Sequence, residues 1–219
     1  MRKGTGWSRA GALAILALAM RVGGGDAAAQ GLASYDYANL GLRGVSGEIF
    51  FIDPNNVDAT VGFGGRLDLG FLGPNVRTQV RFAYWDSNLS QSEVTKFENR
   101  IADLVESQSG QRPVIDLGVI DRDAFIFGAD LDWMPAPNAR IRPYLGIGTE
   151  LYILSGSGAA IDGTFVDDSL DLLTAGVSAL GGLEYDLGGI FTLFGEVRGS
   201  LAADIRSVSV SGGISLIPG

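Results

Sequence analysis

The sequence predicts an all-β protein: an eight-stranded antiparallel up-and-down transmembrane β-barrel with one short helix in a long external loop. Three observations predict it. Segments with a side-chain period of two recur down most of the chain, the period of a strand with two unlike faces. The connections between them alternate between tight turns and longer loops. The polar face of these segments carries Gly, Ser, Thr, Arg, Asp and Glu but no Lys, which is not the face a soluble barrel shows to water.

Taken in order, the first segment is the least regular, "NLGLRGVSGEIFFI", whose alternation slips near Gly44 and predicts a bulge there. In "ATVGFGGRLDLGFLG", Val61, Phe63, Leu67, Leu69 and Phe71 oppose Thr60, Gly62, Gly64, Arg66, Asp68 and Gly70. In "NVRTQVRFAYWD", Val76, Val80, Phe82 and Tyr84 oppose Arg77, Gln79, Arg81 and Trp85. In "DAFIFGADLDWM", Phe125, Phe127, Leu131 and Trp133 oppose Gly128, Asp130 and Asp132. In "RIRPYLGIGTELYIL", Ile141, Leu145, Ile147, Leu151 and Ile153 oppose Arg142, Tyr144, Glu150 and Tyr152. The last three segments follow the same rule: Leu173, Val177, Leu183 and Tyr185 oppose Ser178, Glu184 and Asp186; Phe191, Leu193 and Val197 oppose Thr192, Glu196 and Arg198; and Val208, Val210 and Ile214 oppose Ser207, Ser209 and Ser211.

Tight turns marked by Gly, Pro and Asn fall at Gly73 to Asn75, Pro135 to Asn138 and Leu187 to Gly189. Between them lie "DPNNVD", an insert from Asp86 to Arg122, and "SGSGAAIDGTFVDDS", while the last connection, near Ala203, is short. Short turns at one end and longer loops at the other is the asymmetry of membrane barrels, whose short turns face the periplasm. In such a barrel the apolar face meets lipid and the polar face fills the interior. Aromatic residues on the apolar parity predict two interfacial girdles: Phe71, Trp133, Tyr185 and Phe191 beside the tight turns, and Phe82, Tyr84 and Phe125 toward the other end.

The first residues carry Arg2, Lys3 and Arg9, then an apolar run from Ala10 to Met20, then small residues at Ala27 and Ala29. That order predicts a signal peptide over residues 1–29 and an exported barrel domain over 30–219. Cutting there removes Arg2, Lys3, Arg9, Arg21 and Asp26 and leaves 12 basic against 24 acidic residues, a net charge of −12. A chain so acidic is not built to bind nucleic acid. It contains no Cys and no His, so disulfides, thiolate or imidazole metal sites and His-assisted nucleophiles are excluded. Asp-rich stretches such as "DPNNVD", "DRD" and Asp167–Asp168 do not match the ligand spacing of a dedicated calcium loop, so no metal and no cofactor are expected.

The passages "IRPYLGIGTELYIL", "GVSALGGLEYDLGGIFTLFGEVRGSL" and "VSVSGGISL" resemble the second half of the small bacterial outer-membrane β-barrels of the OmpA-like, OmpX-like and opacity-protein type. The resemblance spans the mature chain as a pattern and carries no single diagnostic motif. It implies an outer-membrane location, lipid and the barrel-assembly machinery as partners, and a monomer. Members of that group usually end in an aromatic residue read during assembly, whereas this chain ends "SLIPG".

Within the predicted interior stand Arg66, Asp68, Arg77, Arg81, Asp130, Asp132, Arg142, Glu150, Glu184, Glu196 and Arg198. An eight-stranded barrel is only wide enough for side chains to fill, and enclosed charges must pair. These residues are therefore expected to form a salt-bridged core, with an ion or solute pathway as the alternative. Arg rather than Lys suits that task because its planar fork pairs bidentately with carboxylates. In the long insert, Val94, Phe97, Ile101, Leu104 and Val105 form one stripe of an amphipathic helix over residues 90–107, with Ser90 or Ser92 as N-cap. That stripe is expected against the barrel's rim, and "RPVIDLGVIDR" is expected to prolong the fourth strand. The leading functional reading is a non-enzymatic envelope protein, structural or surface-interacting, with a sealed interior. The alternatives are a small channel or carrier and, in a third class, a soluble secreted ligand-binding barrel.

Overall fold

The computed structural model describes residues 36–158, 171–203 and 205–217. The expected signal peptide with its cleavage site and the Asp167–Asp168 pair lie outside them. Eight antiparallel strands close into a barrel in simple sequence order: β1 (Gly44–Pro54), β2 (Thr60–Gly73), β3 (Val76–Asn88), β4 (Asp121–Trp133), β5 (Ile141–Ser157), β6 (Leu172–Gly188), β7 (Phe191–Ala202) and β8 (Arg206–Leu216). Strand β8 pairs with β1 from Val45↔Leu216 to Pro54↔Ser207, so no edge is left open. Closure is what allows a sheet to lie in hydrocarbon, because every ladder group then finds its partner within the protein.

The period-two pattern sets which residues face inward. Glu48, Phe50, Arg66, Arg77, Arg81, Asp130, Glu150, Glu184, Glu196 and Arg198 are all buried, while the opposite parity puts large apolar side chains outside on every strand. Ile49 and Ile147, for example, are 66% and 67% exposed, a surface fit for lipid rather than water. The exterior aromatics divide into three places. Trp133, Tyr185 and Phe191 stand at the turn end, where the Arg140 guanidinium lies 5.1 Å from the Tyr185 ring, and Phe71 stands there too. Toward the loop end Phe63, Tyr84 and Phe125 form a row, with ring centroids 5.5 and 4.8 Å apart. Phe82 departs from expectation: it lies midway along β3, paired with Phe127 of β4, and the two rings meet edge to face at 5.5 Å.

The expected bulge near Gly44 is absent. Strand β1 starts at Gly44 and runs in unbroken register with β2. The irregularities fall instead between Asp68, Phe71 and Gly73 of β2 and between Asp186 and Gly188 of β6. At the first of these Gly70 takes φ +83, a conformation glycine adopts freely, and its N–H donates to the Asp68 carboxylate at 2.7 Å. The slip in the sequence pattern marks where the strand begins.

Helix α1 (Gln91–Ser109) follows β3, capped at its end by Gly110 in the left-handed conformation, whose N–H donates to Glu106. Val94 is buried against Leu117 and Ile120, with Leu89, Phe97, Ile101 and Ile115 around them. The helix therefore packs on the segment that follows it, not on the barrel's rim. Leu104 is displaced from the expected stripe and stays exposed, and Ala102 is buried instead. Residues 112–120 do not extend β4, which begins at Asp121; their backbone cannot both join the ladder and turn Ile115, Leu117 and Ile120 onto the helix. The root of this excursion is tied down where Leu89 N–H donates to Ile120 and Ser90 N–H to Asn56.

If the outer wall faces lipid, Ile147→Arg lowers the unfolding free energy of the refolded protein by about 2–4 kcal/mol in bilayers. Val114→Arg, at a fully exposed loop position, leaves it unchanged within about 0.5 kcal/mol. Urea titration of both variants in lipid vesicles measures the contrast, and equal effects would contradict a lipid-facing wall.

Candidate functional site: the barrel interior

The lumen is filled in tiers. At the loop end an apolar cluster forms: Phe50 and Ile52 of β1, Trp85 of β3, Ile126 of β4 and Tyr152 and Leu154 of β5 pack together, with Arg122, Thr174, Ser200 and Ser207 also buried toward that end. Val57 from the β1–β2 loop and Ile205 from the β7–β8 turn close over them, and Ile205 and Trp85 are each only 1% exposed. None of these apolar interior residues except Trp85 and Tyr152 was expected from alternation. The signal was present as three runs apolar on both parities, "EIFFI", "AFIF" and "LYIL", each toward the loop end of its strand.

Below that plug, one connected ion network crosses the lumen. Arg81 donates Nε to Glu48 at 2.6 Å, and Arg66 donates Nε to the other oxygen of Glu48 at 2.8 Å. Arg66 also reaches Glu196 through Nη1 at 2.6 Å. Glu196 accepts in addition from Arg198 Nε at 3.2 Å and from the Tyr144 hydroxyl at 3.0 Å. Arg198 then forks onto both oxygens of Asp130, at 2.9 and 2.7 Å, and onto Glu150 at 3.1 Å. Six strands are joined in this way, β3, β1, β2, β7, β4 and β5. Glu48 was missed by the sequence reading, because both parities around it are apolar. It is nonetheless indispensable: Arg66 and Arg81 stand directly opposite each other on β2 and β3, and like charges so placed repel unless a counter-charge lies between.

The third tier lies toward the turn end. Arg77 donates to Glu184 at 2.5 Å and to Asp132 at 3.2 Å, with Asp68 at 3.7 Å. Arg142 donates to the second oxygen of Glu184 at 3.1 Å and to Thr192 at 3.0 Å. Aromatic faces support the guanidiniums: Phe194 lies 4.5 Å from Arg66, Phe50 5.0 Å from Arg81 and Tyr144 5.4 Å from Arg77. Small residues on the inner wall make room for the carboxylates. A Cβ on Gly148 would stand 2.1 Å from an Asp130 oxygen, and one on Gly146 would stand 2.4 Å from an Asp132 oxygen.

The structure buries Arg66, Asp68, Arg77, Arg81, Asp130, Asp132, Glu150, Glu184, Glu196 and Arg198 inside the barrel and half-buries Arg142, in two clusters that touch β1 to β7 and reach β8 where Arg66 donates to Ser211 at 3.2 Å. Chemically, the arrangement pairs charge: each of its carboxylates faces a guanidinium, although Asp132 Oδ1 is left without a partner, and among the described residues no group of acids is placed to hold a metal ion. At the turn end a cavity of about 640 Å³ penetrates as far as Arg77 and Met134.

No protein-family model matches this chain, and no curated protein matches it. Among solved structures it is similar to Neisserial surface protein A, with 15% identity, a TM-score of 0.51 and coverage of 80% of this chain and 96% of that one. The chain has the fold of the small bacterial outer-membrane β-barrels. Further structures similar to it are the N-terminal β-barrel domain of Pseudomonas aeruginosa OprF (13% identity, 80% and 98% coverage, TM-score 0.49) and the attachment invasion locus protein Ail of Yersinia pestis (11%, 79% and 95%, 0.49). At these identities the likeness is one of fold.

Removing the central acceptor of the network leaves two buried guanidiniums short of charge, so Glu196→Leu costs about 3–5 kcal/mol. The exposed Glu93–Lys96 pair on α1, with Glu93→Ala, costs less than about 1 kcal/mol. Equilibrium unfolding in vesicles measures both, and a small effect at Glu196 would show that the network does not hold the lumen together.

Proposed function

We propose that this protein is a non-enzymatic outer-membrane component with a structural or surface-interaction role, whose lumen is closed to solutes. The observation that carries the reading is the apolar cluster at the loop end, where Val57 and Ile205 pack with Trp85, Phe50 and Leu154 over the ion network. The chain is exported through the signal peptide at 1–29, assembled by the barrel-assembly machinery, and resides as a monomer with its short turns in the periplasm. Residues 89–120 then project outward. They build a small apolar cluster of their own and are braced by Arg112, which pairs with Asp103 and Glu106. A loop stiffened in this way on a rigid barrel is suited to presenting a surface to a partner.

A second reading, a small channel or carrier, draws on the cavity at the turn end, which opens part of the lumen. Single-channel recording of the mature protein in planar bilayers separates the two, once a heat-dependent gel shift shows the barrel to be folded. The sealed reading expects no discrete conductance steps. Reproducible steps would overturn it in favour of a channel. Because α1 packs on its own loop, deletion of residues 91–109 leaves the gel shift intact; loss of the folded band would mean that the helix is part of the barrel's own core.

A further inference from the structure

We propose that the cavity at the turn end is a binding site for a small organic anion: a carboxylate carried on an apolar body. The inference goes beyond the structural reading and does not require the barrel to conduct, since the cavity ends within the lumen. Its walls include three guanidiniums at increasing depth, Arg43, Arg142 and Arg77, against two carboxylates, Asp68 and Glu184.

The carboxylates are already engaged. Glu184 accepts from Arg77 on one oxygen and from Arg142 on the other, at 2.5 and 3.1 Å. Asp68 accepts from Gly70 N–H at 2.7 Å and has Arg77 3.7 Å from its second oxygen. Deeper in, one donor and one acceptor are left over side by side, Arg77 Nε and Asp132 Oδ1, and toward the mouth the capacity left over is donor capacity, on Arg142 and Arg43. Arg77 Nε is itself buried and without a partner, so Arg77 contributes positive charge at the foot of the cavity while Arg43 and Arg142 present the donors. Arg43 lies folded over Gly70 at the mouth and has no carboxylate partner among the described residues. Arg142 uses Nε and Nη2 on Glu184 and Thr192, with Nη1 unassigned to either.

A planar carboxylate is the group that matches such a fork of N–H donors. The remainder of the wall is mostly apolar, with Leu40, Phe71, Met134 and Ile217 beside the single amide of Asn39. About 640 Å³ is the volume of an ordinary small-molecule site, and it accommodates a ring or a short chain behind the charged head. Deeper in the lumen the network holds more carboxylates than guanidiniums, so a cation held by Asp68 is the competing occupant.

The test uses the chain from residue 30 refolded into lipid nanodiscs, with empty nanodiscs as the partition control. Benzoate, benzylammonium, benzyl alcohol and inorganic phosphate are titrated in turn and followed by amide and arginine Nε–H chemical shifts. The proposal expects saturable shifts with benzoate, centred on Arg43, Gly70 and Arg77, and much weaker effects from benzyl alcohol. It expects Arg43→Gln to weaken benzoate binding roughly tenfold, Arg43→Lys to retain part of it, and Lys96→Gln on α1 to leave it unchanged. Arg43 is exposed and outside the ion network, so its replacement leaves the barrel folded, as the gel shift checks. Preference for benzylammonium would overturn the sign of the ligand, and binding of phosphate without benzoate would overturn its apolar body. Benzoate shifts that match the empty-disc control, or that survive Arg43→Gln unchanged, would remove the site altogether.

Discussion

Arg66, Arg77, Arg81, Arg142 and Arg198 each meet a carboxylate inside the barrel, and much of the structure is arranged around that pairing. A closed eight-stranded barrel in lipid has no water column to solvate interior charge. Glu196 and Glu48 answer the constraint from β7 and β1. Glu196 gathers Arg66, Arg198 and Tyr144, and Glu48 holds apart Arg66 and Arg81, which the strand register sets face to face. The inner glycines follow from the same demand, because a Cβ at Gly148 or Gly146 would occupy the space of an Asp130 or Asp132 oxygen. Even the choice of Arg over Lys belongs here, since Arg198 spans Asp130, Glu150 and Glu196 at once, which a single ammonium on a flexible stem does less well.

The ion network fills only part of the lumen. Toward the loop end the interior turns apolar, so the barrel carries an inner greasy plug inside an outer greasy wall. The two halves do different work. Paired charges bind the strands to one another across the lumen, and Trp85, Phe50, Ile205 and their neighbours pack into an apolar cluster toward one mouth. At the other mouth lies the cavity lined by Arg43, Arg142 and Arg77.

Much of this was legible in the sequence because a strand converts parity directly into inside and outside. Arg66, Arg77, Asp130, Asp132, Glu150, Glu184 and Arg198 needed nothing more than alternation to be placed on the inner wall. Parity fails where both faces are apolar, and that is where Glu48 and the plug residues Phe50, Ile52, Ile126 and Leu154 were missed. It is also silent about tertiary partners. The helix over residues 91–109 was readable from its period, but its partner was not: Leu117 and Ile120 compete with the barrel's rim for the same apolar stripe, and they win because the chain turns back within a few residues. Pairings such as Arg66 with Glu196, 130 residues apart, depend on barrel closure, which no local pattern encodes.

Exchange of the arginine Nε–H protons with water, measured by NMR on the refolded protein in lipid, tests the central claim most directly. Arg66, Arg81 and Arg198 are expected to exchange far more slowly than the loop residue Arg112, because each donates its Nε–H into a buried carboxylate. Rapid exchange at Arg66 and Arg198, comparable with Arg112, would mean that water runs through the barrel and that the paired charges line a passage instead of closing it.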